Sequence, residues 1–223
     1  MLGCGDMLGF FHSGAGHVET FEALVQAAQP GIATHHAVRE DLLASAVAAG
    51  NVTPEIALAV QSEIRALLEQ GARVVVCTCS TLGNAAEATP NDAGATVLRV
   101  DRPLAELLVA NGRPLLVVAA LPSAMTTAVA LLNDIARARQ MPLNLRELPC
   151  YEAWPHFLAG NRVAYAEHVA RAVGERANPG DQVMLAQASM APALPLIQRH
   201  DIEVATTPAL GIRAALAAYA RAR

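Results

Sequence analysis

The sequence predicts an α/β protein built as two similar doubly wound parallel-sheet domains facing a central cleft. Three observations predict it. Short apolar, β-branched runs alternate with helix-length patterns along the whole chain, joined by short connections, as parallel sheets wound right-handedly require. The two halves resemble each other: Val74-Val-Val-Cys-Thr-Cys-Ser80 lies without gaps over Val183-Met-Leu-Ala-Gln-Ala-Ser189. Aromatic residues make up only 4% of the chain, which suits close packing of Ala-, Val- and Leu-rich helices on a parallel sheet better than a β-sandwich.

The elements follow in order. Leu8 to His12 reads as a buried strand that breaks into the small-residue loop Ser13-Gly-Ala-Gly-His17, followed by a helix from about Val18 to Ala28. The loop lacks the spaced glycines of a dinucleotide site. His35-His36 reads as loop histidines ahead of a helix over Val38 to Ala49; adjacent residues point apart and no third metal ligand is evident. Thr53-Pro54-Glu55 is a helix start with hydroxyl cap, Pro at the first position and an acid in the first turn. That helix runs to Gln70, and Gly71 stops it. The strand from Arg73 ends in Cys77-Thr-Cys79-Ser80-Thr81, and a short helix leads from Gly83 to about Ala88. Thr96 to Val100 is a strand. Asp101-Arg102-Pro103 opens a helix to Asn111, with Asp101 read as its cap and Arg102 as solvent-facing.

From Arg113 the rhythm restarts. Strands are expected at Pro114 to Leu121, Leu143 to Leu148, Val183 to Ala188 and from Glu203. Helices are expected from Pro122 to Arg139, Glu152 to Leu158, Asn161 to Ala177, Met190 to His200 and Thr207 to the end. This divides the chain into residues 1–100 plus 206–223, and residues 101–205. Trp154 reads as interdomain packing rather than a cleft lid.

Composition narrows the function. The 223 residues suffice for a sizeable core, and the net charge of −4 comes without a basic patch to neutralise phosphates, so nucleic acid is not expected as a partner. Four cysteines are too few for a disulfide framework in a chain this long, which fits a reducing cytoplasm. The N-terminus carries Asp6 with no Lys or Arg ahead of it, unlike a signal peptide, and no apolar run reaches the length of a membrane span.

The residues that carry chemistry cluster at strand ends. A buried strand finishing in small polar residues delivers them to the carboxyl edge of a parallel sheet, where open α/β folds bind ligands. Cys79 is therefore the candidate reactive centre, as acid/base or nucleophile, against the alternative of an inert core thiol. Cys77, two residues back on the strand, reads as core, with a Cys-x-Cys metal or redox pair as the less favoured alternative. His12 is a candidate non-thiol base; its alternative is a strand-end histidine hydrogen-bonded to backbone. Cys4 and Cys150 stand in no motif.

Three motifs carry a resemblance. Leu8-Gly-Phe-Phe-His-Ser-Gly-Ala-Gly16, Cys79-Ser80-Thr81 and Gln187-Ala188-Ser189-Met190-Ala191-Pro192 stand in order over nearly the whole chain. They resemble the Asp-Ser-Gly loop, the Cys-Asn-Thr motif and the Gly-Cys-Thr-His-x-Pro motif of the aspartate/glutamate racemase superfamily. Its members include glutamate, aspartate and hydantoin racemases, maleate isomerase and arylmalonate decarboxylase. The departures are specific: the family's N-terminal Asp is His12, its second catalytic cysteine is Ala188, and the histidine that follows in glutamate racemases is Met190.

The resemblance implies a cofactor-independent, racemase-like isomerase of amino acids or related carbon acids, with Cys79 and His12 catalytic. Ser13, Ser80, Thr81, Ser123, Ala188 and Ser189 would line the site of a small carboxylate, and Thr126 is a weaker match. No metal, nucleotide or pyridoxal cofactor is implied. Members of the family often dimerise, so a homodimer is an expectation. Proton removal from one face and return on the other takes two acid/bases, and Ala188 removes the second thiol. A one-cysteine decarboxylase or lyase, a cis–trans isomerase, and a carboxylate-binding protein without activity are the alternatives.

Overall fold

The computed structural model describes residues 7–90 and 95–222; Cys4 lies outside them. The chain divides into two compact units, Met1–Val100 with Pro208–Arg223, and Asp101–Thr207.

The first unit holds a four-stranded parallel sheet of β1 (Met7–His12), β2 (Ala33–Val38), β3 (Ala72–Cys77) and β4 (Thr96–Arg99), in the order β2-β1-β3-β4. The second holds β5 (Leu115–Ala119), β6 (Leu145–Pro149), β7 (Gln182–Leu185) and β8 (Glu203–Thr206), all parallel, in the order β6-β5-β7-β8. The two orders are the same pattern repeated. The gapless match of Val74 to Val183 thus aligns third strand with third strand: Val74 pairs with Leu8 and Thr96, Val183 with Leu116 and Val204. Fold class and repeat agree with the sequence expectation.

The helices are α1 (Gly16–Ala28), α2 (Glu40–Ala49), α3 (Pro54–Glu69), α4 (Gly83–Glu87), α5 (Arg102–Asn111), α6 (Pro122–Ala138), α7 (Trp154–Leu158), α8 (Arg162–Arg176) and α9 (Thr207–Arg221). The start of α3 is the one its sequence announces: Thr53 Oγ1 accepts the Ile56 N–H and Pro54 stands at the first position. Ile56, Val60, Ile64 and Leu67 recur at helical spacing and bury one face of α3 in a cluster with Leu42 and Ala46 of α2 and Phe11, Val75 and Cys77 of the sheet. Gly71, with φ of 100°, turns the chain into β3, a conformation that a side chain would strain.

In the second unit α8 buries Tyr165, Val169 and Val173 against Leu116, Val118, Val183 and Leu185. Trp154 stacks on Phe157, ring centroids 4.7 Å apart, and packs on this cluster within its own unit.

Three expectations are corrected. His35-His36 belongs to strand β2, not to a loop. β2 is an edge strand with all six residues at least partly exposed, so it has no apolar run to announce it. The segment read as a helix from Met190 is a 3₁₀ helix, Ala188–Leu196, because Pro192 and Pro195 cannot donate to an α-helical ladder. Asp101 does stand ahead of α5, but its side chain makes no capping hydrogen bond and is fully buried.

Candidate functional site

In the order β2-β1-β3-β4, the chain leaves β1 toward one edge of the sheet and β3 toward the other. The crevice beyond the carboxyl ends of β1 and β3 is therefore the topological switch point, where backbone loops part and ligands bind. Residues 12–13 follow from β1 and residues 78–81 from β3. The sequence thus places His12, Ser13, Cys79, Ser80 and Thr81 at one sheet edge. The second unit repeats this at β5 and β7, whose ends lead to Ser123 and to Ala188-Ser189.

Cys79, Ser80 and Thr81 form a buried turn between β3 and α4, closed by the Gly83 N–H donating to the Ser80 carbonyl at 3.3 Å. Cys79 is 8% exposed and packs with Phe11, Cys77, Leu82 and Ala85. The fully buried Cys77 thiol donates to the Cys79 carbonyl at 3.5 Å, so it braces the turn.

Arg99, at the end of β4, is entirely buried and donates to the Ser80 carbonyl at 3.4 Å and to the Asn84 side chain. Its guanidinium supports the Cys79 turn from below. Gly83 makes this possible: a Cβ there would stand 2.9 Å from Arg99 Nε and 3.1 Å from Arg99 Cζ. The sequence analysis missed Arg99. A lone arginine at the end of a predicted strand is the signal that marks it, because burial of its charge demands partners.

His12 lies on the other face of β1 from Phe11. Its ring packs beside Phe10 and Phe21 and is fully buried. Both ring nitrogens are engaged. Nδ1 lies 2.8 Å from Thr78 Oγ1, and Nε2 lies 2.9 Å from His36 Nδ1. His36 Nε2 in turn lies 3.2 Å from Glu22 Oε2, which also accepts the Thr34 hydroxyl. Burial first, then the neighbouring His36 and His17, push the His12 pKa down to about 3. The ring is therefore neutral across the physiological range. The Thr34 hydrogen bond, with those from His36 and Gln26, holds the Glu22 carboxyl below its usual range.

The expectation named His12 as a candidate non-thiol base; its ring nitrogens bind Thr78 and His36. Thr78, His36 and Glu22 were missed. Their signal is the pair of alternating positions His12 and His36 on neighbouring strands, invisible until β2 is recognised as a strand.

In the second unit, Ser123 is buried in the first turn of α6, and Thr126 donates to the Pro122 carbonyl within that helix. Gln187 Oε1 accepts the Ala120 N–H at 2.6 Å, tying the end of β7 to the end of β5. Ala188, 8% exposed, follows, and the Ser189 hydroxyl lies 2.9 Å from the Tyr165 phenol. Burial raises the pKa of Tyr165, which keeps the phenol protonated. Cys150 is also buried, and its thiol is pushed up to about 11 by desolvation and by the Glu152 carboxylate. It is a protonated core thiol. No helix among the described residues is long and apolar enough to cross a membrane.

Solved structures share this architecture. An aspartate racemase from Picrophilus torridus superposes with a TM-score of 0.73 at 12% identity, over 97% of this chain and 95% of that one. A glutamate racemase from Bacillus anthracis gives 0.66 at 13% identity, over 98% of this chain and 83% of that one. An allantoin racemase from Klebsiella pneumoniae gives 0.60 at 18% identity, over 96% and 88%. No family model and no curated protein matches the sequence. Identities this low establish a common fold and leave the chemistry to the residues.

Proposed function

We propose that this chain, which has the fold of the aspartate/glutamate racemase superfamily, is a racemase-like isomerase of a small carbon acid bearing a carboxylate. The observation that carries this is the place of Cys79. It stands just beyond β3 at the switch point of the first sheet, in a turn braced by Cys77 and Arg99.

In this reading Cys79 takes the proton from the carbon next to the carboxylate and returns it. Thiols suit that task because their pKa can be brought near neutrality by hydrogen bonds and helix N-termini. Ser80 and Thr81 belong to the same turn and Ser13 to the loop across the switch point; their hydroxyls would hold the carboxylate, with backbone N–H groups of the turns. Ser123 and Ser189 are the corresponding hydroxyls of the second unit. Ala188, at the third-strand end of that unit, stands where the resemblance expects a second thiol and supplies none, so two-thiol racemization is not available to this chain. The expected chemistry is exchange at one face that outpaces inversion.

The test is deuterium incorporation at carbon in D2O, followed by NMR, over amino acids, hydantoins, malonates and maleate. Exchange with one class of carbon acid, lost in Cys79→Ala, supports the reading. Exchange unchanged in Cys79→Ala, or none with any of them, refutes it.

A further inference from the structure

The hydrogen bonds that run from the end of β3 through β1 and β2 to α1 form one unbroken line. Thr78 Oγ1 meets His12 Nδ1 at 2.8 Å, His12 Nε2 meets His36 Nδ1 at 2.9 Å, and His36 Nε2 meets Glu22 Oε2 at 3.2 Å. One end, Thr78, is buried and directly precedes Cys79; the other, the Glu22 side chain, is 40% exposed. We propose that Thr78, His12, His36 and Glu22 form an array that holds one proton, and that this proton sets the direction of the Thr78 hydroxyl and thereby the reactivity of Cys79. The proposal rests on the reading of Cys79 as the acid/base.

The donors and acceptors allow two complete arrangements. In the unloaded array, Thr78 O–H donates to His12 Nδ1, His12 Nε2–H donates to His36 Nδ1, and His36 Nε2–H donates to the Glu22 carboxylate. Both rings are neutral and every contact holds one hydrogen. The loaded array holds one more proton, taken from water. His36 then carries hydrogens on both nitrogens and is an imidazolium against Glu22. Its Nδ1–H donates to His12 Nε2, His12 has become the Nδ1–H tautomer, and that hydrogen donates to Thr78 Oγ1. The Thr78 hydroxyl turns to the Phe11 carbonyl, 3.3 Å away, which already accepts the Thr78 N–H at 3.0 Å.

His12 is neutral in both arrangements and only changes tautomer. A second proton is refused, because two imidazoliums would set N–H against N–H at 2.9 Å. The charge rests on His36 because the carboxylate lies there and because the His12 ring is the fully buried one. The other groups facing the pair are His17 from α1, its ring 6.4 Å from that of His12, Thr34 from β2 beside Glu22, and the apolar Phe10 and Phe21.

Thr78, His12, His36 and Glu22 are positioning residues in this scheme. Loading places a positive charge two hydrogen bonds from Thr78, the residue before Cys79, and turns the Thr78 hydroxyl from His12 to the Phe11 carbonyl. The added positive charge favours thiolate in the loaded state, and the turned hydroxyl changes the dipole next to Cys79 in the chain.

The experiment is a pH titration of the intact chain with two readouts. Nitrogen-15 NMR follows the imidazoles, with His17→Asn to assign its resonances. Mass spectrometry follows iodoacetamide labelling of the peptide carrying Cys79. The expected result is one midpoint at which His36 gains charge while His12 passes from Nε2–H to Nδ1–H, and an inflection in the Cys79 labelling rate at the same pH. Glu22→Gln, a change at an exposed side chain, moves both midpoints down together by about one pH unit, since it removes the paired carboxylate. Thr78→Val, which deletes the hydroxyl and leaves the charge on His36, keeps the His36 titration and shrinks the inflection; an inflection of unchanged size overturns the role of the hydroxyl. A His12 tautomer that stays fixed while His36 titrates overturns the array. A labelling rate that Glu22→Gln does not move in step with the NMR midpoint overturns the coupling. If Cys79 labels no faster than a free thiol at any pH, the proposed function falls, while the tautomer exchange is still decided by the NMR.

Discussion

His12 and His36 meet across β1 and β2, Nε2 to Nδ1 at 2.9 Å, with their ring planes 10° from parallel. Parallel register pairs Phe10, not His12, with His36, so the two histidines meet on a diagonal of one sheet face. A buried histidine pair of this kind makes the fold sensitive to acid. The folded pKa of His12, about 3, lies below the ordinary imidazole value of 6.5. The unfolded chain therefore binds more protons between those values. The stabilisation is complete above pH 6.5 and is lost as pH falls toward 3. One group shifted this way contributes up to 1.36 kcal/mol per pH unit, or about 2 kcal/mol between pH 6.5 and 5. Urea unfolding at these two pH values should show that loss, and His12→Gln should remove most of it. An equal loss in His12→Gln would place the acid sensitivity elsewhere.

The two neighbouring cysteines should separate cleanly. Cys79→Ala is expected to lower turnover by about 10³-fold or more with little change in unfolding free energy, as a proton-transfer group should. Cys77→Ala removes a fully buried side chain and its bond to the Cys79 carbonyl. It should cost about 1–2 kcal/mol in denaturant unfolding. Reversed roles would move the reactive centre to Cys77.

Gly83 and Arg99 form a tight contact beneath the same turn. Because Arg99 is wholly buried, its side chain cannot swing into solvent to admit a Cβ 2.9 Å from Nε. Gly83→Ala is therefore expected to destabilise by about 1–3 kcal/mol through overpacking, although alanine is the better helix former. A neutral or stabilising result by thermal unfolding would mean that the guanidinium has room to shift.

The Tyr165–Ser189 pair should respond unequally to its two deletions. Ser189→Ala leaves the buried phenol, which desolvation keeps protonated, without its 2.9 Å partner. The cost should be about 1–3 kcal/mol, that of an unsatisfied buried donor. Tyr165→Phe removes the phenol itself and leaves a half-buried serine that water can reach, so it should cost less. Unfolding curves of the two variants decide the order.

Much of this was legible because period and punctuation are local. The β-branched run before Cys79 had to be a buried strand, Thr53-Pro54 had to start a helix, and the gapless match of the Val74 and Val183 segments had to mean equivalent strands. The place of Cys79, Ser80 and Thr81 at a strand end followed from these alone. β2 escaped because an edge strand partly open to solvent needs no apolar pattern. With it went the position of His36, so the histidines read as loop residues. The 3₁₀ segment after β7 escaped for the opposite reason: its composition is apolar enough for a helix, and only its two prolines forbid one.

By itself, then, the sequence determined the strands and helices other than β2 and the 3₁₀ segment, the repeat and the residues that reach the sheet edges, since each depends on neighbours in the chain. The tertiary structure decided what those residues touch. His12 turned out to bind Thr78 from residue 66 positions away and His36 from 24 positions away, and Arg99 came to lie under Ser80. Such partnerships are set by strand order and register, and the burial that comes with them is what keeps His12 neutral.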